Sequence, residues 1–176
     1  GALNAQNTTA GDNNAQNVAV GHSAGNNLTT SIASTFIGYA AGKNVTTGNV
    51  NTFVGASCGI GNSLNKLTGA NNTAVGQGAA QDLVGAAENN TLIGRDAGSS
   101  VSTGTGNTVV GSTAGNNVTD GDSNILLGYA SVFSGTSMDA EFVIGAGVTG
   151  SGGSTITIGS GAGKIYLNFT NTGTWS

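Results

Sequence analysis

The chain has 176 residues, with 32 Gly, no Pro, four Lys or Arg and eight Asp or Glu, and a formal net charge of -4. Too little Gly, without a triplet period, excludes collagen, and the small charge sets the chain apart from disordered polymers, which join weak hydrophobicity to strong charge. The lone Cys58 excludes an internal disulfide framework, no apolar run approaches the roughly 20 residues of a membrane helix, and four scattered cations give nucleic acid nothing to hold.

In chain order, residues 1–16 read as a lead-in or partial coil. From Asn17 onward a short unit of Asn, Thr, any residue, aliphatic and Gly recurs: NVAVG, STFIG, NTFVG, NTAVG, NTLIG, NTVVG, NILLG, EFVIG and TITIG. The closing glycines are Gly21, Gly38, Gly55, Gly76, Gly94, Gly111, Gly128, Gly145 and Gly159, at intervals of 17, 17, 21, 18, 17, 17, 17 and 14. Such regularity predicts a solenoid with one coil per repeat. Residues 164–176 follow as a strand-like KIYLNF and a turn-rich tail.

The residue before each closing Gly is always β-branched or Leu, from Val20 to Ile158, and the pattern assigns this column to the core. The residue two earlier, Val18, Thr35, Thr52, Thr73, Thr91, Thr108, Ile125, Phe142 or Ile156, shares its face. Three residues after the Gly stands a small residue, as in Ala24, Ala41, Cys58, Ala79, Ala97 and Ala114, which reads as a tight corner. A second apolar site follows at Leu28, Val45, Leu83, Val101 and Val118, and then polar turns. Together these predict an all-β fold: a parallel β-solenoid of about nine coils over residues 17–163. The absence of Pro agrees, because Pro cannot donate to a central ladder.

The opposite face of the first strand is apolar as well, with Ala19, Phe36, Phe53, Ala74, Leu92, Val109, Leu126, Val143 and Thr157. A slim roll has one interior, so a strand that is apolar on both faces needs a second partner surface. Phe36, Phe53, Leu92, Val109, Leu126 and Val143 are therefore expected to form a homotrimer interface, with each buried Phe contributing about 1.5 to 3 kcal/mol.

NVAVGHSAG from Asn17 resembles the head repeats of trimeric autotransporter adhesins. AGKNVTTGNVNTFVG, from Ala41 to Gly55, resembles the repeat regions of bacteriophage tail fibres more closely. That resemblance implies a homotrimeric fibre in the virion, bound to other tail proteins and to host cell-surface polysaccharide or lipopolysaccharide. It also implies a C-terminal chaperone of the endosialidase type that releases itself by cutting after a Ser, which makes Ser176 the expected processing end. The alternatives are an adhesin head at the bacterial cell surface and a tailspike depolymerase with its cleft between chains.

The column just after the closing Gly is the most variable and is expected at an exposed turn. His22, Tyr39, Gln77, Arg95 and Tyr129 are its receptor-binding candidates, against the alternative of a tolerant solvated turn. The irregular loops Gly61 to Asn71, Gln77 to Asn89 and Ala130 to Ala140 compete with it. Two carboxylate pairs, Asp120 with Asp122 and Asp139 with Glu141, have a spacing that a glycosidase could use, yet TDGDS is also ordinary turn chemistry. His22 is the only His and no D-x-D-x-D-G loop occurs, so no metal, cofactor or catalytic triad is expected. Cys58 reads as packing.

Overall fold

The structure, a computed structural model, describes residues 16–160 and 163–168. Each recurring unit contributes one short strand: β1 (Val18–Val20), β2 (Thr35–Ile37), β3 (Thr52–Val54), β4 (Thr73–Val75), β5 (Thr91–Ile93), β6 (Thr108–Val110), β7 (Ile125–Leu127) and β8 (Phe142–Ile144). They stack in chain order as a parallel sheet, equivalent residues in register, and β9 (Thr155–Ser160) continues it. The chain is thus an all-β parallel solenoid of about eight turns with a roughly 17-residue repeat, one turn fewer than the nine coils expected because the strand after β9 does not begin another coil, and it has no helix among the described residues. KIYLN of that segment does form a strand, β10 (Gly163–Asn168), but it folds back antiparallel on β9. Ser176 and the rest of the tail lie outside the described residues, as does the lead-in up to residue 15.

The two faces of the sheet are the reverse of the sequence expectation. Phe36, Phe53, Leu92, Val109, Leu126 and Val143 do not line an outer face: all six are fully buried inside their own chain, joined by Ala19 and Ala74. The Phe36 and Phe53 rings pack at 5.7 Å between centroids. The column before the closing Gly points outward instead. Val20, Ile37, Val75, Ile93, Leu127 and Ile158 are 36% to 50% exposed, flanked by the half-buried Thr column from Thr35 to Thr108.

Asparagine sets this orientation. In a strand, residues alternate faces, so whichever face takes the Asn that opens each unit also takes the residue two further on. Asn51, Asn72, Asn90, Asn107 and Asn124 are all buried. Each later Nδ2 donates to the Oδ1 of the Asn one coil earlier, at 3.0 to 3.2 Å. The same Oδ1 atoms accept the backbone N–H of the next Asn. Each Nδ2 also reaches across its coil to a turn carbonyl, as from Asn90 to Gly104 at 2.8 Å. Asn72, Asn90 and Asn107 thus make two donor and two acceptor bonds each inside the roll, and burial leaves none of these groups unmatched. No described buried side-chain N or O lacks a partner.

The corner and second apolar columns behave as expected. Ala41, Cys58, Ala79, Ala97 and Ala114 are fully buried, as are Val45, Leu83, Val101 and Val118, with Leu28 packed against them. In the irregular third coil the column is filled by Leu67, which bridges Val45 on one side and Gly85 on the other. The extra residues, 62–66, are exposed as a loop. The closing glycines from Gly21 to Gly145 have φ between +124° and +148°, and at Gly38 an added Cβ would sit 2.5 Å from the Gly55 carbonyl oxygen. Only Gly fits that stack.

Cys58 offers a direct test of the packing. Its thiol donates to the Ala74 carbonyl at 3.2 Å, and burial pushes its pKa up from 9.0 to about 12 against a smaller opposing effect of the Val54 backbone. We expect no alkylation by iodoacetamide at pH 8 in the native protein and complete alkylation in denaturant, read by intact mass. Between pH 9 and about 12 the unfolded chain loses this proton while the folded one keeps it, so stability falls as pH rises through that window. Rapid native alkylation would place Cys58 outside the core.

Candidate functional site

The column after the closing Gly is a continuous exposed ridge. His22, Tyr39, Ala56, Gln77, Arg95, Tyr129 and Ala146 are exposed and Ser112 is partly so. Backbone bonds hold the column in line: the carbonyls of His22, Tyr39, Ala56, Gln77, Arg95, Ser112 and Tyr129 each accept the N–H two places after the next closing Gly, at 2.7 to 3.0 Å. That donor is at a corner with left-handed φ, as at Ser57 and Thr113. The geometry thus brings His22, Tyr39, Gln77, Arg95 and Tyr129 onto one line along the rod, with Ala56 between Tyr39 and Gln77 and Ser112 between Arg95 and Tyr129.

Side-chain chemistry along the ridge is uneven. The His22 and Tyr39 rings stack, with centroids 5.7 Å apart and planes within 13°, and His22 Nδ1 lies 3.0 Å from Ser23 Oγ. Tyr39 and Tyr129 are 60% and 64% exposed. Arg95 is paired with its neighbour Asp96 at 2.6 Å, which satisfies part of its charge locally.

The carboxylates serve the turns. Asp120 accepts from Ser137 and Thr119, and these two hydroxyls, Ser137 first, hold its carboxyl below the usual carboxylate range. An acid kept ionised is a poor proton donor to a glycosidic oxygen. Asp122 accepts from the N–H and hydroxyl of Thr105, and Asp139 accepts the N–H of Asp122, the role that Asn49 plays for Ile32. Glu141 is separated from Asp139 by function: it takes the Asn position of its coil and is 1% exposed. Its backbone N–H joins the ladder through Asn124, while its carboxylate accepts from Ser134 N and Oγ and from Gly152 N. The longer acidic side chain cannot donate to the amide before it, so the ladder ends there. A signal for this was present in the sequence as the one acidic residue in the Asn column.

Among the irregular loops, the one from Gly61 to Asn71 exposes Leu64 almost entirely, at 94%. The other two are partly structural: Leu83, Val84 and Ala87 are buried in one, Ser131 and Phe133 in the other. No group of three or more His, Cys, Asp or Glu among the described residues is arranged to hold a metal. The exposed, register-locked ridge thus runs along the rod beside the outward aliphatic column. No known protein family, curated protein or solved structure matches this chain.

Proposed function

We propose that the chain is a non-enzymatic rod that assembles as a homotrimer and serves as an attachment fibre, of the bacteriophage tail-fibre kind, presenting its exposed ridge to host cell-surface polysaccharide or lipopolysaccharide. The observation that carries the reading is the outward aliphatic column, Val20, Ile37, Val54, Val75, Ile93, Val110, Leu127, Ile144 and Ile158, in unbroken ladder register. An apolar stripe of that length is the mark of an interaction surface, and a rod with one such stripe is satisfied by closed rotational symmetry. The six core residues expected to fill the interface are replaced in that role by this column. The binding of Asp120, Asp122 and Glu141 into turns supports the non-enzymatic part of the reading.

Light scattering is expected to give about 50 kDa, three times the 16.9 kDa of one chain. Val75→Glu with Ile93→Glu, outward on adjacent strands, is expected to lower the mass to that of one chain while far-UV circular dichroism keeps its β signature. A monomeric wild type, or a double variant that still trimerises, would remove the homotrimer.

A further inference from the structure

Tyr39 is stacked on one face only. His22 covers that face, and the residue one coil further along the ridge is Ala56, followed by the exposed Gln77. Rings 5.7 Å apart within 13° are too close to lie edge to edge, so one face of Tyr39 is turned to His22 and the other away from it, on the side of the Ala56 coil. Two strand spacings of about 4.8 Å separate the Tyr39 level from the Gln77 level, which is room for one further ring with its van der Waals layers.

We propose that Tyr39, Ala56 and Gln77 form a notch that takes a single pyranose ring edgewise. Its C–H face lies on Tyr39, and its hydroxyls meet the Gln77 level and solvent. Tyr129 above Ala146 repeats the Tyr–Ala pair five coils away, with Ser112 in the place of His22 and Ser160 in the place of Gln77, so the complete notch is the one at Tyr39. The inference rests on the attachment reading and gives it a ligand geometry. A pyranose that lies across the axis carries its equatorial linkages across the axis as well. The notch therefore takes a terminal or branching sugar whose chain leads away from the rod, and a polymer lying along the ridge does not fit it. Affinity at one notch is then independent of glycan length, and tight adhesion comes from many notches acting together.

The test uses the assembled wild-type chain, Tyr39→Ala, Ala56→Leu, and both variants repeated in a Tyr129→Ala background. Saturation-transfer NMR and calorimetry would read binding of methyl glycosides of glucose, galactose, mannose and N-acetylglucosamine, and of their linear tetrasaccharides. At least one methyl glycoside is expected to bind, with its tetrasaccharide no tighter per site. In the Tyr129→Ala background, Tyr39→Ala and Ala56→Leu are each expected to weaken binding about tenfold, at unchanged melting temperature. Ala56→Leu fills the gap without touching the platform, so wild-type affinity in that variant would overturn the notch. Binding confined to tetrasaccharides, or to no sugar of the panel, would overturn it too. Retention on immobilised lipopolysaccharide separates the two levels: equal retention of wild type and variants removes the notch and leaves attachment standing, whereas no retention of the wild type removes both.

Discussion

Asn90→Asp is expected to destabilise the rod by about 4 kcal/mol at pH 7 although it changes no volume, because it inverts two donors in a ladder with no spare acceptors. Asn90 Nδ2 donates to Asn72 Oδ1 at 3.0 Å and to the Gly104 carbonyl at 2.8 Å. A carboxylate there faces both oxygens with lone pairs, buried where water cannot relieve it. Its Oδ1 side is unharmed, since Asn107 N and Nδ2 donate to it at 3.0 and 3.2 Å. The defect is thus confined to the donor side, and protonation restores one donor. Burial and the facing oxygens raise the folded pKa of the introduced Asp above its unfolded value, so the lost stability is recovered below the unfolded pKa and disappears as pH rises through the folded one. Melting at pH 3.5 and pH 7 reads this directly: the gap between wild type and variant, about 10 °C at neutral pH, is expected to narrow in acid. Asn90→Leu removes both sides at once and gains nothing from acid. A gap that is the same at both pH values would mean that the donor side of the ladder contributes little.

The ladder also explains which parts of the fold were legible in the sequence. Period and strand position follow from the closing glycines alone, since a left-handed glycine stack with no room for Cβ can occupy only one place in each coil. The small corner column was equally plain, because Ala41, Cys58 and Ala79 leave no alternative to tight packing. The choice of face was not. Val20, Ile37 and Val54 form a more uniform aliphatic column than Ala19, Phe36 and Phe53, and by hydrophobicity alone the uniform column is the core. What decides the matter is a polar residue. Asn is usually read as turn chemistry, and only a stacked parallel register turns it into a fully satisfied interior group. The ridge was legible as a line of variable exposed residues, but the stacking of His22 on Tyr39 depends on side-chain directions that spacing does not supply.

The uneven core column is compensated across the coil. Gly42 sits opposite Phe36, and a Cβ added at Gly42 would press into the Phe36 ring; Gly59 stands in the same relation to Phe53. The contact eases as the strand residue shrinks, to 2.7 Å for Gly98 against Leu92 and 3.1 Å for Gly115 against Val109. In the fourth coil the strand residue is Ala74, and the opposing position is occupied by Ala80, at φ 54°, close to the 59° of Gly42. Ala80 shows that a Cβ is accommodated at this backbone angle, at about 1 kcal/mol, so the main obstacle at position 42 is the ring. Gly42→Ala alone is expected to cost about 2 to 4 kcal/mol from overpacking and strain. Phe36→Ala alone is expected to cost about 3 to 5 kcal/mol from the cavity. The double variant reproduces the Ala74 and Ala80 pairing of the fourth coil, and is therefore expected to be more stable than the sum of the two losses by about 1 to 3 kcal/mol. Denaturant unfolding of the four proteins measures that coupling. Strict additivity would mean that the glycine is required for its backbone angle and not for the side chain it faces, and that the volumes of the two columns are set independently.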